Sequence, residues 1–384
     1  MLPSTEQRQL IDATRDFVAR EIAPHAGTWE TTGTGVPTAL LERLAALGYF
    51  GLLTPRALGG SGLDMTSYAR VTEELAAGDC GLTNLVNVSN SPVCAALVEH
   101  GTPAQHTNWL APLAAGRLRG CFMLTEAAAG SDAAAVRTRA VRTSGGWRLD
   151  GVKRFVTAGR SAQLALVVAV SDPAAGKRGI SAFLVPTDTP GYRVLRVEDK
   201  LGHRNCDTCE VALDGVEVGN EHLLGAPGAG LRIALSYLNG GRIGVAAQAL
   251  GVARAALEHA IAYARERTTF GQPIVRHQAV GFRLARMASR LAAARALTLA
   301  AAARVDAGAN AAVEASMAKA EASAMAEAVT SAALQVHGGQ GYLRDCPVEK
   351  LYRDARVLSI YEGTNDIQHL VIARAIDSGW SPRP

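Results

Sequence analysis

The stretch Trp147-Arg148-Leu149-Asp150-Gly151-Val152-Lys153-Arg154-Phe155-Val156-Thr157 decides the fold, because it interrupts a helical rhythm that dominates both ends of the chain. It predicts two paired strands, Trp147 to Gly151 and Lys153 to Thr157, around a tight turn. Leu164 to Val170 is a continuous apolar run, as in a strand covered on both faces. Ile180 to Val185 and Glu210 to Leu213 read as further short strands, punctuated by Pro, Gly and Asp. From about Cys121 to Asp214 the sequence therefore predicts a β-domain.

On either side the period is helical. Ser4-Thr5-Glu6-Gln7 carries capping residues, and Leu10, Phe17, Val18 and Ile22 follow at helical spacing until Pro24. Further helices are expected over about Thr38 to Leu47, Ser67 to Ala77 and Asn84 to His100. Beyond Gly230 the chain is rich in alanine, and long helices are expected at 231–267, 273–306 and 310–337, lengths that suit a four-helix bundle. The order is α–β–α with no internal repeat: 1–120 helical, 121–229 β, 230–384 helical.

With 384 residues and 48% hydrophobic content the chain can bury a large core. The net charge of +4 is spread over helical segments, which argues against a nucleic-acid arm and suits a phosphorylated ligand. No long uncharged apolar run marks a membrane span, and the N-terminus lacks a signal-peptide core. Six cysteines fit a reducing compartment. Cys206-Asp207-Thr208-Cys209 has metal or redox spacing, yet no second pair or nearby histidine pair completes a zinc set, and no metal is expected.

The chemistry is concentrated near the C-terminus, in Ile360-Tyr361-Glu362-Gly363-Thr364-Asn365-Asp366-Ile367-Gln368. A lone carboxylate beside an aromatic and after an apolar run has a raised pKa, which makes it a better general base near neutral pH. The same residues also read as an acid at a helix N-terminus, with Thr364 or Asn365 as cap and a helix to about Ile376. Phe122 to Asp132 is a loop of hydroxyls and small residues able to meet a polar planar ligand or to form an ordinary turn. Phe155 and Thr157 share one face of a strand. Asn239-Gly240-Gly241-Arg242 places two glycines near the start of a helix, a cost that close approach of a ligand or a neighbouring helix would explain. Arg265 to Pro273 and Gln335 to Tyr342 end helices in turns, and neither is a Walker or dinucleotide fingerprint.

In order and spacing these motifs resemble the acyl-CoA dehydrogenase family over essentially the whole chain. Leu124-Thr125-Glu126 with Gly130-Ser131-Asp132 is similar to one family signature. Gln335 to Tyr342, Pro347 to Lys350, Arg353-Asp354-Ala355 and Tyr361 to Thr364 are similar to the C-terminal one. The resemblance implies an α+β fold with a helical N-terminal domain, a middle β-barrel or sandwich and a C-terminal four-helix bundle. It implies a bound FAD and α,β-dehydrogenation of a short- or branched-chain acyl-CoA, with Glu362 as base. Phe122, Leu124, Thr125, Ser131, Phe155 and Thr157 would line the flavin. Arg267, Thr269, Phe270, Gln278, Gln335, Gly338 and Gly339 would meet a neighbouring subunit's FAD, and Thr364 and Asp366 the chain's own. Ser131, Asn239, Arg242, Tyr361 and Gly363 would contact substrate. An electron-transfer flavoprotein as acceptor, a homotetramer built as a dimer of dimers and a cytoplasmic bacterial location are expected on the same basis. The chain departs from the family pattern at Ala127 and Ala128 in place of Pro-Gly, at Phe155 in place of Trp, and at Asn239 in place of Asp. Gly241 occupies a position from which some members supply their acid. Dehydrogenation of a carrier-protein-bound acyl group, direct oxidation by O₂ and a non-catalytic flavin-binding homologue are the competing readings.

Overall fold

The computed structural model describes residues 4–381, leaving aside the side chains of Leu238 and Asn239. The first helix, Thr5–Glu21, opens on a capping box in which Ser4 Oγ accepts the Gln7 N–H and Gln7 Oε1 accepts the Ser4 N–H. Helices Ala26–Thr32, Thr38–Ala46, Met65–Gly78 and Cys80–Val88 follow. The helix expected from Asn84 to His100 is broken. Ser91, before Pro92, is extended at φ −145°, because a proline disfavours helical backbone in the residue preceding it; the chain is helical again after it and runs on into Ala95–His100.

The middle segment is one eight-stranded sheet. Its strands are β1 (Gly120–Met123), β2 (Arg139–Arg142), β3 (Gly146–Thr157), β4 (Leu164–Val170), β5 (Ile180–Pro186), β6 (Tyr192–Val197), β7 (Thr208–Gly219) and β8 (Leu223–Leu224). The order is β6-β7-β3-β2-β4-β5-β8, with β1 pairing parallel to β4. The two strands expected around Gly151 are a single strand. Asp150-Gly151 does not turn the chain back; it forms an irregularity opposite β7, whose register slips again between Lys153 and Val156. β4 is buried along almost its whole length, as its unbroken apolar run requires.

The C-terminal segment is built on Leu238–Glu266, Gln278–Asp306 and Ala312–His337, with Pro347–Ala355 and Asn365–Asp377 packed against them. The helix expected from residue 273 starts at Gln278, because Gln272–Pro273 pairs with Thr268–Thr269 in a small hairpin. Met65–Gly78 lies so close to Leu238–Glu266 that a Cβ on Gly251 would stand 2.2 Å from the Glu73 carbonyl oxygen. No helix among the described residues is long and apolar enough to cross a membrane.

Candidate active site

Glu362 sits in the turn that delivers the chain from Pro347–Ala355 to the last helix. Thr364 caps that helix, its Oγ1 accepting the Ile367 N–H at 3.3 Å. Glu362 and Gly363 both have left-handed backbone, φ +54° and +82°. For a residue with a side chain this conformation costs energy and persists only where neighbours impose it. Here Gln368 Nε2 donates to the carbonyls of Glu362 (3.2 Å) and Gly363 (2.9 Å), and Lys319 Nζ donates to the Gly363 carbonyl at 2.9 Å. The Glu362 N–H has no backbone or side-chain acceptor among the described residues.

The carboxylate is aimed at one face of Leu238–Glu266. A Cβ on Gly241 would lie 3.0 Å from Glu362 Oε2, so the missing side chain makes its space. On the same face a Cβ on Gly240 would meet Met65 Cε at 3.4 Å and Ser91 Oγ at 3.6 Å. One on Gly244 would meet the Tyr68 hydroxyl at 3.3 Å and Asn87 Nδ2 at 3.4 Å. Tyr68 is fully buried and donates to Asn87 Oδ1 at 2.9 Å. Of the two glycines singled out in the sequence, Gly241 answers to close approach, while a Cβ on Gly240 would make only ordinary contacts.

Burial raises the Glu362 carboxyl to about 7, with Arg242 and Lys319 pulling the other way. Arg242 is itself buried and donates from Nη1 to Ser316 Oγ at 3.2 Å; desolvation lowers its pKa while Glu362 supports its charge. The Tyr361 hydroxyl donates to Gln248 Oε1 at 2.6 Å, and its ring meets His203 edge-on with centroids 5.9 Å apart. A carboxyl near neutrality, framed by two cations and opening on a glycine face, is equipped to accept a proton from a weak carbon acid held there.

Family models described as the N-terminal, middle and C-terminal domains of acyl-CoA dehydrogenase match residues 4–117, 121–216 and 228–376. The chain belongs to the acyl-CoA dehydrogenase family. An acyl-CoA dehydrogenase of Bacillus subtilis is 42% identical, over 97% of this chain and 98% of its own. The mitochondrial short-chain specific acyl-CoA dehydrogenase of Bos taurus is 41% identical, over 97% and 90%. The structure of butyryl-CoA dehydrogenase from Megasphaera elsdenii superposes with a TM-score of 0.95 at 37% identity, covering 98% of this chain and 99% of that one. This acyl-CoA dehydrogenase is accordingly an enzyme of the flavin-dependent oxidoreductase class.

The remaining predicted site residues fall in separate places. Phe122, Leu124 and Thr125 are half-buried where β1 runs into its following loop, and Ser131 is exposed further along. Lys153 Nζ holds the Leu124 carbonyl (3.0 Å), and the Arg154 N–H holds the Thr125 carbonyl (2.8 Å). Phe155 has φ +55° and a 61% exposed ring; Thr157 is half-buried, with Asn84 Nδ2 3.4 Å from its hydroxyl. Arg267, Phe270, Gln278, Gln335, Gly338 and Gly339 are exposed, and Thr269 is half-buried with Oγ1 3.0 Å from His277 Nε2. Asp366 is exposed in the first turn of the last helix. Asn239 lies on Leu238–Glu266, but its side chain falls outside the described residues. Cys206 and Cys209 are buried; burial raises both thiols, that of Cys209 to about 12, which disfavours the thiolate that metal binding or exchange needs.

Sequence reasoning overlooked Lys319, Gln368 and the Tyr68–Asn87 pair. Lys319 carried a signal: it falls on the face of its helix that also bears Ala315, Ala322 and Ala326, all fully buried.

Proposed function

We propose that the protein oxidises a short- or branched-chain acyl-CoA to its trans-2-enoyl-CoA, with Glu362 removing the α-proton. The observation that carries this reading is the Glu362 carboxylate packed on Gly241, with the charges of Arg242 and Lys319 favouring its ionised form. The unpaired Glu362 N–H supports a role in holding the thioester oxygen, where enolate charge develops.

The residues present fit a bound FAD. Phe155 offers an exposed ring held in a strained bulge, Thr125, Ser131 and Thr157 offer hydroxyls, and a Cβ on Gly130, Gly338 or Gly339 would meet nothing within 4 Å. Phe122 and Leu124 add apolar walls. When bound, FAD supplies the two-electron chemistry and accepts the β-hydride. Thr364 and Asp366 would hold the same cofactor, while Arg267, Thr269, Phe270, Gln278, Gln335, Gly338 and Gly339, mostly exposed, would grip that of a second copy in a homotetramer. Ser131, Arg242, Asn239, Tyr361 and Gly363 would contact the acyl-CoA, 1–120, 121–229 and 230–384 would act as the three domains, and an electron-transfer flavoprotein would take the electrons.

The test is an anaerobic titration with saturated acyl-CoAs from butyryl to palmitoyl, including isobutyryl and 2-methylbutyryl, following flavin absorbance. Bleaching is expected with the short or branched members and is expected to vanish in Glu362→Gln while FAD and ligand binding persist. A Glu362→Gln protein that bleaches at the wild-type rate would overturn the assignment.

A further inference from the structure

Lys319 lies within the third long helix of the bundle, Ala312–His337, at 0% exposure. A buried lysine is expensive unless its ammonium is hydrogen-bonded. Its partners here are few and specific: the Gly363 carbonyl at 2.9 Å and Asn365 Oδ1 at 3.0 Å. Asn365 is itself braced, since Ser323 Oγ donates to Oδ1 at 3.1 Å and Asn365 Nδ2 donates to Ser323 Oγ at 3.0 Å. The ammonium therefore grips the chain one residue after Glu362 and again at the first residue of the last helix, on both sides of the Thr364 cap.

We propose that Lys319 is a positioning residue for the reaction: by holding Gly363 and Asn365 it fixes the left-handed turn that aims the Glu362 carboxylate. The inference rests on the reading of Glu362 as the base. Nothing in a helical bundle requires a cation at this place, and an alanine-rich face with a methionine in the slot would pack at lower cost. What the cation adds is control over the turn.

The charged and titratable groups around Glu362 come from every element packed on it. Arg242 faces it from Leu238–Glu266, Lys319 from Ala312–His337, the Tyr68 hydroxyl from Met65–Gly78, and Tyr361 adjoins it in the turn. Lys319 in turn feels Arg242 and Glu327 besides Glu362, and burial pushes it down to about 8. Two cations and no other carboxylate thus bear directly on Glu362. Arg242 donates from Nη1 to Ser316 Oγ on the same helix as Lys319. Lys319 combines its charge with a grip on the turn itself.

The test compares the FAD-loaded wild type with Lys319→Met and Lys319→Gln, recording kcat and KM for butyryl-CoA across pH. Loss of a cation that favours the carboxylate moves the acid limb of the profile upward, here by about one pH unit. Loss of aim lowers kcat at neutral pH by roughly tenfold or more with KM little changed. Lys319→Gln keeps a donor for the Gly363 carbonyl but not the charge. Its limb is expected to shift as in the methionine variant while kcat at the optimum falls less, and it carries the test if the methionine variant fails to fold. An acid limb and a kcat within twofold of wild type in the folded variants would overturn the inference and leave the reading of Glu362 intact. A wild type that no acyl-CoA bleaches would overturn both.

Discussion

Glu362 is one of five residues other than glycine with left-handed backbone among the described residues, beside Phe155, Ala158, His203 and Phe270. Three of the five, Phe155, Phe270 and Glu362, were singled out from sequence as site residues. Strain of this kind is retained where the geometry it imposes is used. For Glu362 the use is placement against Gly241. Gly241→Ala would put a methyl group 3.0 Å from Oε2 and 3.1 Å from Cδ, closer than a rigid turn tolerates. Alanine also favours the helix, so the melting temperature should not fall, whereas kcat should drop by roughly tenfold, since the carboxylate must move by a few tenths of an ångström. An unchanged kcat would show that the carboxylate has another resting place. The raised carboxyl makes a further prediction. A base must be ionised, so kcat/KM should decline as pH falls through about 7, the value that burial gives Glu362. Profiles of the free enzyme taken between pH 5 and 9 check it, and a profile with no acid limb in that range, as the ordinary glutamate value of about 4.3 gives, would contradict it.

Among the elements, β3 does the most for the site. Its irregularities present Phe155 outward while turning Lys153 inward, fully buried, where it donates to Glu126 Oε1 at 2.8 Å and to the Leu124 carbonyl. Glu126 also accepts the N–H groups of Arg137 (2.7 Å) and Thr138 (3.0 Å) and the Thr138 hydroxyl (2.7 Å). Burial would raise Glu126, but Lys153 and these donors outweigh it and its pKa falls. Burial lowers Lys153 to about 8 against the pull of Glu126. One buried pair thus ties the loop after β1 to the strand that bears Phe155. Lys153→Met strands the carboxylate, a loss of about 3–5 kcal/mol, and frees the Leu124–Thr125 backbone. Melting temperature and flavin content after dialysis should both fall; a lower melting temperature with full flavin content would confine the pair to stability.

Helices and β4 were legible because their periods are local properties of the chain. β6 was not, since Tyr192–Val197 mixes two arginines into an edge strand with little burial. The merging of the two expected strands into β3 was hidden because a glycine after an aspartate signals a turn and a bulge alike. Glu362 stood out by its immediate neighbours. Lys319 did not, because its partners are 44 and 46 residues away in sequence and only folding brings them to it.

Across the whole molecule the three segments are clamped by one buried charge cluster. Lys350 Nζ lies 2.8 Å from Asp79 Oδ2 and 2.6 Å from Asp354 Oδ2, and Asp354 Oδ1 accepts the His203 N–H at 2.6 Å. Asn205 Nδ2 donates to Asp79 Oδ2 at 2.8 Å and to the Ala26 carbonyl at 2.9 Å, while Arg353 pairs with Glu30. The N-terminal helices, the link between β6 and β7, and helix Pro347–Ala355 each contribute. The His203 ring, set by this cluster, is the one that meets Tyr361 next to Glu362. Burial alone would raise Asp354, but Lys350 and His203 outweigh it and its pKa is lowered. A lowered folded pKa means stabilisation that is complete above the unfolded value, about 3.9, and is lost as pH falls through the folded one. Asp354→Asn should therefore cost about 3 kcal/mol near neutrality, and its deficit in melting temperature should narrow below about pH 4. An equal deficit at both pH values would mean that charge is not what the residue contributes.

Arg353 and Glu30 are separated by 323 residues, and Lys350 and Asp79 by 271. During synthesis the acids at positions 30 and 79 emerge long before the cations that neutralise them. The N-terminal helices therefore gain this clamp only after the segment around residues 350–353 has been made, which makes it a late, long-range step of folding.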